Sequence, residues 1–245
     1  MKRYLTALSC LLLVACAKTP NPDSTMSADV VPADSNDNVV NDEKLGTVWG
    51  DEINSSIQEI YATRKSPEPI LTTSIRYADK AFKGKSLNNL SLMGGKITMT
   101  ITHDNGKPYP ITRQDGQYYL SAKADQSYSL VYQNNTPNNY EIISSVDGLD
   151  VLDGTTASVY HTGYVLRPHG RLTIEGFRKD KDTVASFTFG TPQDSYANHN
   201  TQGNISNVGI IGVAVYELDT HDSDKPKKYA PPPTDKPQAF PASVD

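Results

Sequence analysis

A period of two, recurring from residue 97 to residue 218, constrains this chain more than any other feature. Ile97, Met99 and Ile101 alternate with Thr98, Thr100 and Thr102, which puts apolar side chains on one face of an extended strand and hydroxyls on the other. Asp104-Asn105-Gly106 follows, and Asp115-Gly116 precedes Tyr118 to Leu120; both turn sequences accept the positive φ angles of a tight hairpin. Tyr128, Leu130 and Tyr132 share one face of the next strand, residues 134–139 with Pro137 read as loop, and Tyr140 to Val146 reads as strand. Tyr164 to Leu166 and Leu172 to Glu175 flank the turn Arg167-Pro168-His169-Gly170, and Val184 to Phe189 and Val208 to Leu218 complete the set. The last run is apolar on both faces, which suits a strand in the middle of a sheet. Strands about ten residues apart, separated by Gly, Asn, Asp and Pro, predict an all-β fold over residues 92–218: an antiparallel β-sandwich of immunoglobulin-like or jelly-roll type.

Residues 45–91 are ambiguous. Ile53, Ile57, Ile60 and Tyr61 fall at i, i+4, i+7 and i+8, a stripe that leans slightly to a short N-terminal helix. A run through Val48, Trp49 and then Ser56 to Tyr61 also reads as strand, and Pro67 and Pro69 end the segment either way. Trp49, the only tryptophan, reads as a core or domain-edge anchor. Residues 16–44 are rich in Pro, Asp, Asn and Ser and bury too little apolar surface to offset the entropy of ordering. They read as a disordered tether, about 30 Å end to end as a coil and near 90 Å if pulled straight. Residues 219–245 carry Pro226, Pro231 to Pro233, Pro237 and Pro241 and read as a Pro-rich disordered or polyproline II tail.

The N-terminus has the parts of a secretory signal: Lys2 and Arg3, an apolar stretch from Leu5 to Val14, and then Leu13-Val14-Ala15-Cys16. The apolar stretch is too short for a membrane span. The four residues resemble the lipobox of bacterial lipoproteins. That resemblance implies a signal peptide over residues 1–15, cleavage before Cys16, a diacylglyceryl group on its sulfur, and an acyl chain such as palmitate on its new amine. Each buried methylene contributes roughly 0.8 kcal/mol, so several long chains hold a protein firmly to a membrane. Ala17 in place of Asp favours sorting to an outer membrane. The chain has two cysteines, Cys10 and Cys16; one leaves with the signal and the other carries lipid, so the remaining domain has no disulfide. Formal charge is -5, and loss of the two cations Lys2 and Arg3 takes it to -7. Such a surface repels phosphate polymers, so no nucleic-acid partner is expected.

Several patterns touch on chemistry. Asp147, Asp150 and Asp153 stand at spacing three around Gly148 and Gly154, a carboxylate set that a turning calcium loop can use. The EF-hand spacing is not met, and two Asp-Gly turns around a short strand explain the residues more simply. Gly84-Lys85-Ser86 ends like a phosphate loop, but Asp79 stands where the first glycine belongs. Asp194, Ser195 and His199 are close in a polar loop without the Gly-x-Ser-x-Gly elbow. The histidines at 103, 161, 169, 199 and 221 make no HExxH and no i, i+4 pair. Glu175 and Asp182 are a carboxylate pair that any acidic sandwich offers. No cofactor is expected.

Val146 to Gly154, Gly163 to Leu166, Ile174 to Arg178, Ser195 to Ala197 and Asn207 to Tyr216 are similar to a segment of uncharacterised bacterial envelope proteins, which brings no activity with it. Tyr164, Phe177 and Tyr196 within those stretches read as core rather than as a surface groove. Two functional classes remain. The first is a non-enzymatic binding or structural module, held to the outer membrane through lipid on Cys16 and facing an envelope protein or cell-wall glycan. The second is a hydrolase of envelope glycan or ester with a loop-borne site.

Overall fold

The computed structural model describes residues 43–219. The expected signal peptide, Cys16, nearly all of the tether and all of the tail after Asp219 lie outside the described residues. Sixteen strands follow one another among those described: β1 (Gly46–Asn54), β2 (Thr63–Arg64), β3 (Leu71–Ala78), β4 (Lys85–Leu87), β5 (Leu90–Leu92), β6 (Ile97–Thr102), β7 (Ile111–Gln114), β8 (Gln117–Ser121), β9 (Ser127–Asn134), β10 (Tyr140–Val146), β11 (Leu149–Asp150), β12 (Tyr164–Leu166), β13 (Arg171–Ile174), β14 (Gly176–Arg178), β15 (Thr183–Gly190) and β16 (Ile210–Asp219). One four-residue helix, α1 (Tyr196–His199), precedes β16.

The strands form two sheets. The first has the order β1-β15-β9-β6-β5, with β13 on β9 and β14 on β15; the second has the order β11-β10-β16-β3-β8-β7-β4, with β12 on β10 and β2 on β16. All pairs are antiparallel except β3 with β8, which run parallel. The expected all-β sandwich is therefore the fold, with one parallel pair that alternation cannot reveal. Its core is built from the inward positions of both sheets. Ile97, Met99, Ile101, Tyr128, Leu130, Tyr132, Phe187 and Phe189 of the first meet Ile75, Tyr77, Leu120, Tyr140, Ile142, Ile211, Val213 and Val215 of the second. The Tyr77 and Phe189 rings touch across the gap at 5.0 Å, and Tyr132 and Ser144 share a hydrogen bond across it at 2.9 Å.

β16 sits between β10 and β3 and is buried on both faces, as its unbroken apolar run predicts. Its outward residues Ala214 and Tyr216 pack with Ile143 beneath Val159. The Asp115-Gly116 turn takes φ angles of 50° and 79° and joins β7 directly to β8.

The lean to helix before residue 65 is corrected. Gly46–Asn54 is an edge strand on β15 with a bulge between Trp49 and Glu52. The amides of Ser55 and Ile57 extend that pairing to the carbonyls of Asp182 and Lys181, at 2.7 and 3.0 Å. The helical stripe has no groove to fill: Tyr61 is 87% exposed and Ile60 44%. Cross-strand partners more than a hundred residues away decide the backbone here, overriding a local periodicity. Trp49 lies at the domain edge, 46% exposed, with its ring 4.7 Å from Tyr196.

One strand position changes partner within the first sheet. Arg171–Ile174 pairs with β9 and Gly176–Arg178 with β15, and between them the Glu175 carbonyl accepts the Phe187 amide at 3.0 Å. Gly176 permits the crossing, because a Cβ there would stand 1.9 Å from the Ala185 carbonyl oxygen. Gly176→Ala is expected to destabilise the domain by about 3 kcal/mol through overpacking against backbone. Gly106→Ala, where a Cβ meets nothing within 4 Å but φ is 76°, should cost about 1 kcal/mol. Urea unfolding of the two variants checks the ranking.

Candidate functional site

Asp147 and Gly148 form the turn between β10 and β11, both with positive φ, 54° and 76°. This turn places the Asp147 side chain in the interior, apart from Asp150 and Asp153, so the candidate set of three carboxylates does not come together, and the simpler reading of the residues as turns is the one that describes Asp147-Gly148. One carboxylate oxygen of Asp147 accepts the Thr47 amide at 2.7 Å. The other accepts the Tyr77 hydroxyl at 2.6 Å and the Gly209 amide at 2.8 Å. The Thr47 hydroxyl lies 2.8 Å from the Tyr77 oxygen and 2.7 Å from that of Tyr128. Each hydroxyl has one proton to give, and Tyr77 gives its own to Asp147. Thr47 therefore donates to Tyr77, and Tyr128 donates to Thr47. Burial pushes the Asp147 carboxyl up to about 6, against the opposing pull of Tyr77 and the backbone amides of Thr47, Gly209 and Ile210. Burial also raises the Tyr77 and Tyr128 phenols, with the Asp147 charge adding to it, so both remain protonated donors.

Residues 159–161 lie over the outer face of the second sheet, where Arg64 of β2 clamps them. Its guanidinium makes a forked pair with Glu141 at 2.6 and 3.1 Å. It also donates to the carbonyls of Tyr160 and His161 and stacks 3.9 Å over Tyr216. Glu141 completes the clamp by accepting the Gly163 amide at 2.7 Å. This fixes His161 beside β11, where its Nδ1 is 3.3 Å from Asp150 Oδ2 and 3.9 Å from Asp153 Oδ2. The remaining oxygens are held locally: Asp150 Oδ1 accepts the Leu152 amide, and Asp153 Oδ1 accepts the amide and hydroxyl of Thr155. Asp150, Asp153 and His161 thus bring three ligand atoms within 4.8 Å of one another. One nitrogen and two oxygens suit a transition-metal ion better than calcium, which takes six to eight oxygens. As they stand His161 and Asp150 are within hydrogen-bond distance, a contact that is an ion pair when His161 is protonated. Burial raises Asp150, and the hydrogen bond to Asp150 raises His161.

The other sequence candidates have structural employment. Ser195 is buried and donates to the Pro192 carbonyl at 2.7 Å while capping α1 through the Asn198 amide. His199 is exposed on that helix, and Asp194 accepts the Thr191 hydroxyl at 2.7 Å. Asp182 accepts from Ser56 at 3.0 Å. Phe177 is buried and packs on Tyr196 at 4.8 Å, and Tyr164 accepts from Arg178 at 3.0 Å, so these aromatics belong to the core and its margin.

A different place was not singled out by motif. Ile75 and Tyr77 point into the core, so Arg76 and Ala78 of β3 point outward, and Arg76 lies in register with Tyr119 of β8. The loop after β3 folds Phe82 onto Tyr119, with ring centroids 4.7 Å apart, and Lys80 sits 5.6 Å over the Phe82 ring. Lys44, bridged to Ala78, closes the other side. The result is an open cleft of about 200 Å3 lined by Lys44, Arg76, Lys80, Phe82 and Tyr119 among others. Lys80 pairs with Glu43 at 3.2 Å and Lys123 with Asp79 at 3.7 Å, which leaves Lys44 and Arg76 without a carboxylate partner among the described residues. A signal was present: residues 76–85 hold Arg76, Lys80, Lys83 and Lys85 against the single acid Asp79, an inversion of the chain's overall charge.

Geometry and charge thus define an all-β sandwich-like domain with an acidic-histidine cluster beside β11 and a cationic, aromatic cleft on the outer face of the second sheet. No family model, curated protein or solved structure matches the chain.

The titration of Asp147 has a sign. Its folded value of about 6 stands above the roughly 3.9 of a free aspartate, a difference of about 3 kcal/mol. The stability it allows is full below pH 3.9 and is lost as pH rises through about 6. Urea unfolding of the wild type and Asp147→Asn at pH 4.5 and 7.5 should therefore show the wild type gaining relative to the variant at the lower pH.

Proposed function

We propose that this chain is a lipid-anchored lipoprotein of the outer membrane, held through Cys16, whose domain is a non-enzymatic binding module for an envelope component. The tethering half rests on the Leu13-Val14-Ala15-Cys16 resemblance and on the polar stretch that follows it. The binding half is carried by one observation: the cleft over β3 and β8 exposes Arg76 and Lys44 without acidic partners beside two aromatic rings. The hydrolase alternative draws no support from Ser195, whose hydroxyl is buried and caps α1. Nor does it draw any from Asp147, whose carboxylate is enclosed by backbone amides and tyrosine.

Cell fractionation tests the tethering. The wild-type chain should sediment with outer membranes and label with palmitate, whereas Cys16→Ser should do neither. Crosslinking in cells followed by mass spectrometry should recover an envelope component from the wild type, and far less of it from Cys16→Ser. A wild-type chain found entirely in the soluble fraction would overturn this reading.

A further inference from the structure

The cleft on the outer face of the second sheet also indicates the chemical class of its ligand, an inference that rests on the binding-module reading. We infer that it binds a sugar unit bearing a carboxylate or phosphate, within a longer envelope glycan. The Arg76 guanidinium is planar and presents paired donors that match a carboxylate or phosphate, and it has no acidic partner among the described residues. Lys44 supplies a second unpaired cation from the opposite wall. The Tyr119 hydroxyl makes no hydrogen bond among the described residues, so it is available to a ring hydroxyl, and the edges of the stacked Phe82 and Tyr119 rings form an apolar side of the cleft.

Size and shape narrow the class. A volume of about 200 Å3 is below the roughly 300 Å3 of pockets that enclose a small molecule. The cleft therefore takes one unit of an extended ligand whose remainder runs along the sheet. An anionic lipid surface fits less well. The cations flank a hollow, the rings are half-buried against each other, and the acids Glu43 and Asp79 stand at the rim beside Lys80 and Lys123.

The test is titration calorimetry with the full chain in detergent. The probes are a glucuronate-containing tetrasaccharide, glucose 6-phosphate, the neutral chitotetraose, and phosphatidylglycerol vesicles. Binding of either anionic sugar at least tenfold tighter than chitotetraose, weakening as salt rises, is expected. Arg76→Gln should weaken it a further tenfold or more, and Lys44→Gln severalfold, without change in melting temperature, because both side chains are exposed. Lys96→Gln, on an exposed cation before β6, should leave it unchanged. Equal affinity for chitotetraose, binding to the vesicles alone, no binding, or an Arg76→Gln chain that binds like wild type would each overturn the inference. The titration does not depend on attachment to a membrane. Its failure therefore removes the ligand class and leaves the tethering standing, while a soluble wild-type chain in cells removes the tethering and leaves this cleft untouched.

Discussion

The carboxylate of Asp147 is the point on which the two sheets depend. It leaves the β10–β11 turn, takes the amide of Thr47 from the edge strand of the first sheet, and takes Gly209 at the entry to β16 in the second. Through Tyr77, Thr47 and Tyr128 it also orders a chain of hydroxyl protons that crosses the core from β3 to β9. A buried charge is costly, and here the cost is offset by donors from three separate strands and one loop. An apolar residue at this place would leave those amides and hydroxyls unsatisfied and would be strained at the φ of 54° that Asp147 adopts. The carboxylate thus acts less as an energetic gain than as a registry mark, since only one alignment of β1, β3 and β16 presents all of its donors together.

The second sheet's outer face follows the same logic nearer the surface. Arg64 reads a carboxylate, two carbonyls and an aromatic face at once, a pattern that the planar guanidinium allows and a lysine would not. By pinning residues 160–163 it buries the outer side of β16 and places His161 against Asp150. The acidic-histidine cluster is therefore a consequence of how this loop is held.

What the sequence made legible is local. Alternation over Ile97 to Thr102, the Asp115-Gly116 turn, and the doubly apolar run ending at Leu218 each carry their structure within about ten residues, and each appears as expected. What escaped depends on distant partners. The stripe from Ile53 to Tyr61 has a helical period, yet β1 takes its conformation from β15, and the parallel β3–β8 contact leaves no trace in either strand. Spacing placed Asp147 with Asp150 and Asp153, but a turn with two positive φ angles rotates the first into the core. His161 joined the other two through Arg64, nearly a hundred residues earlier. The basic cleft was visible only as a local reversal of charge, because its walls come from residues 44, 76, 80, 82 and 119.

That reversal is the part of the molecule that folding explains least. Surface ion pairs contribute little, with a median between zero and about 1 kcal/mol, so a fold has small reason to gather cations and less reason to leave two of them unpaired beside aromatic rings. Elsewhere some described cations are used, Arg64 and Arg178 on carbonyls and Lys65, Lys179 and Lys181 on acids, while others such as Lys83, Lys96 and Arg171 are exposed without an acidic partner among the described residues; what sets Arg76 and Lys44 apart is the cleft and the rings beside them. An anion supplied from outside would meet both of these cations beside the rings. Lys44 also lies where the chain enters the described fold from the Cys16 side.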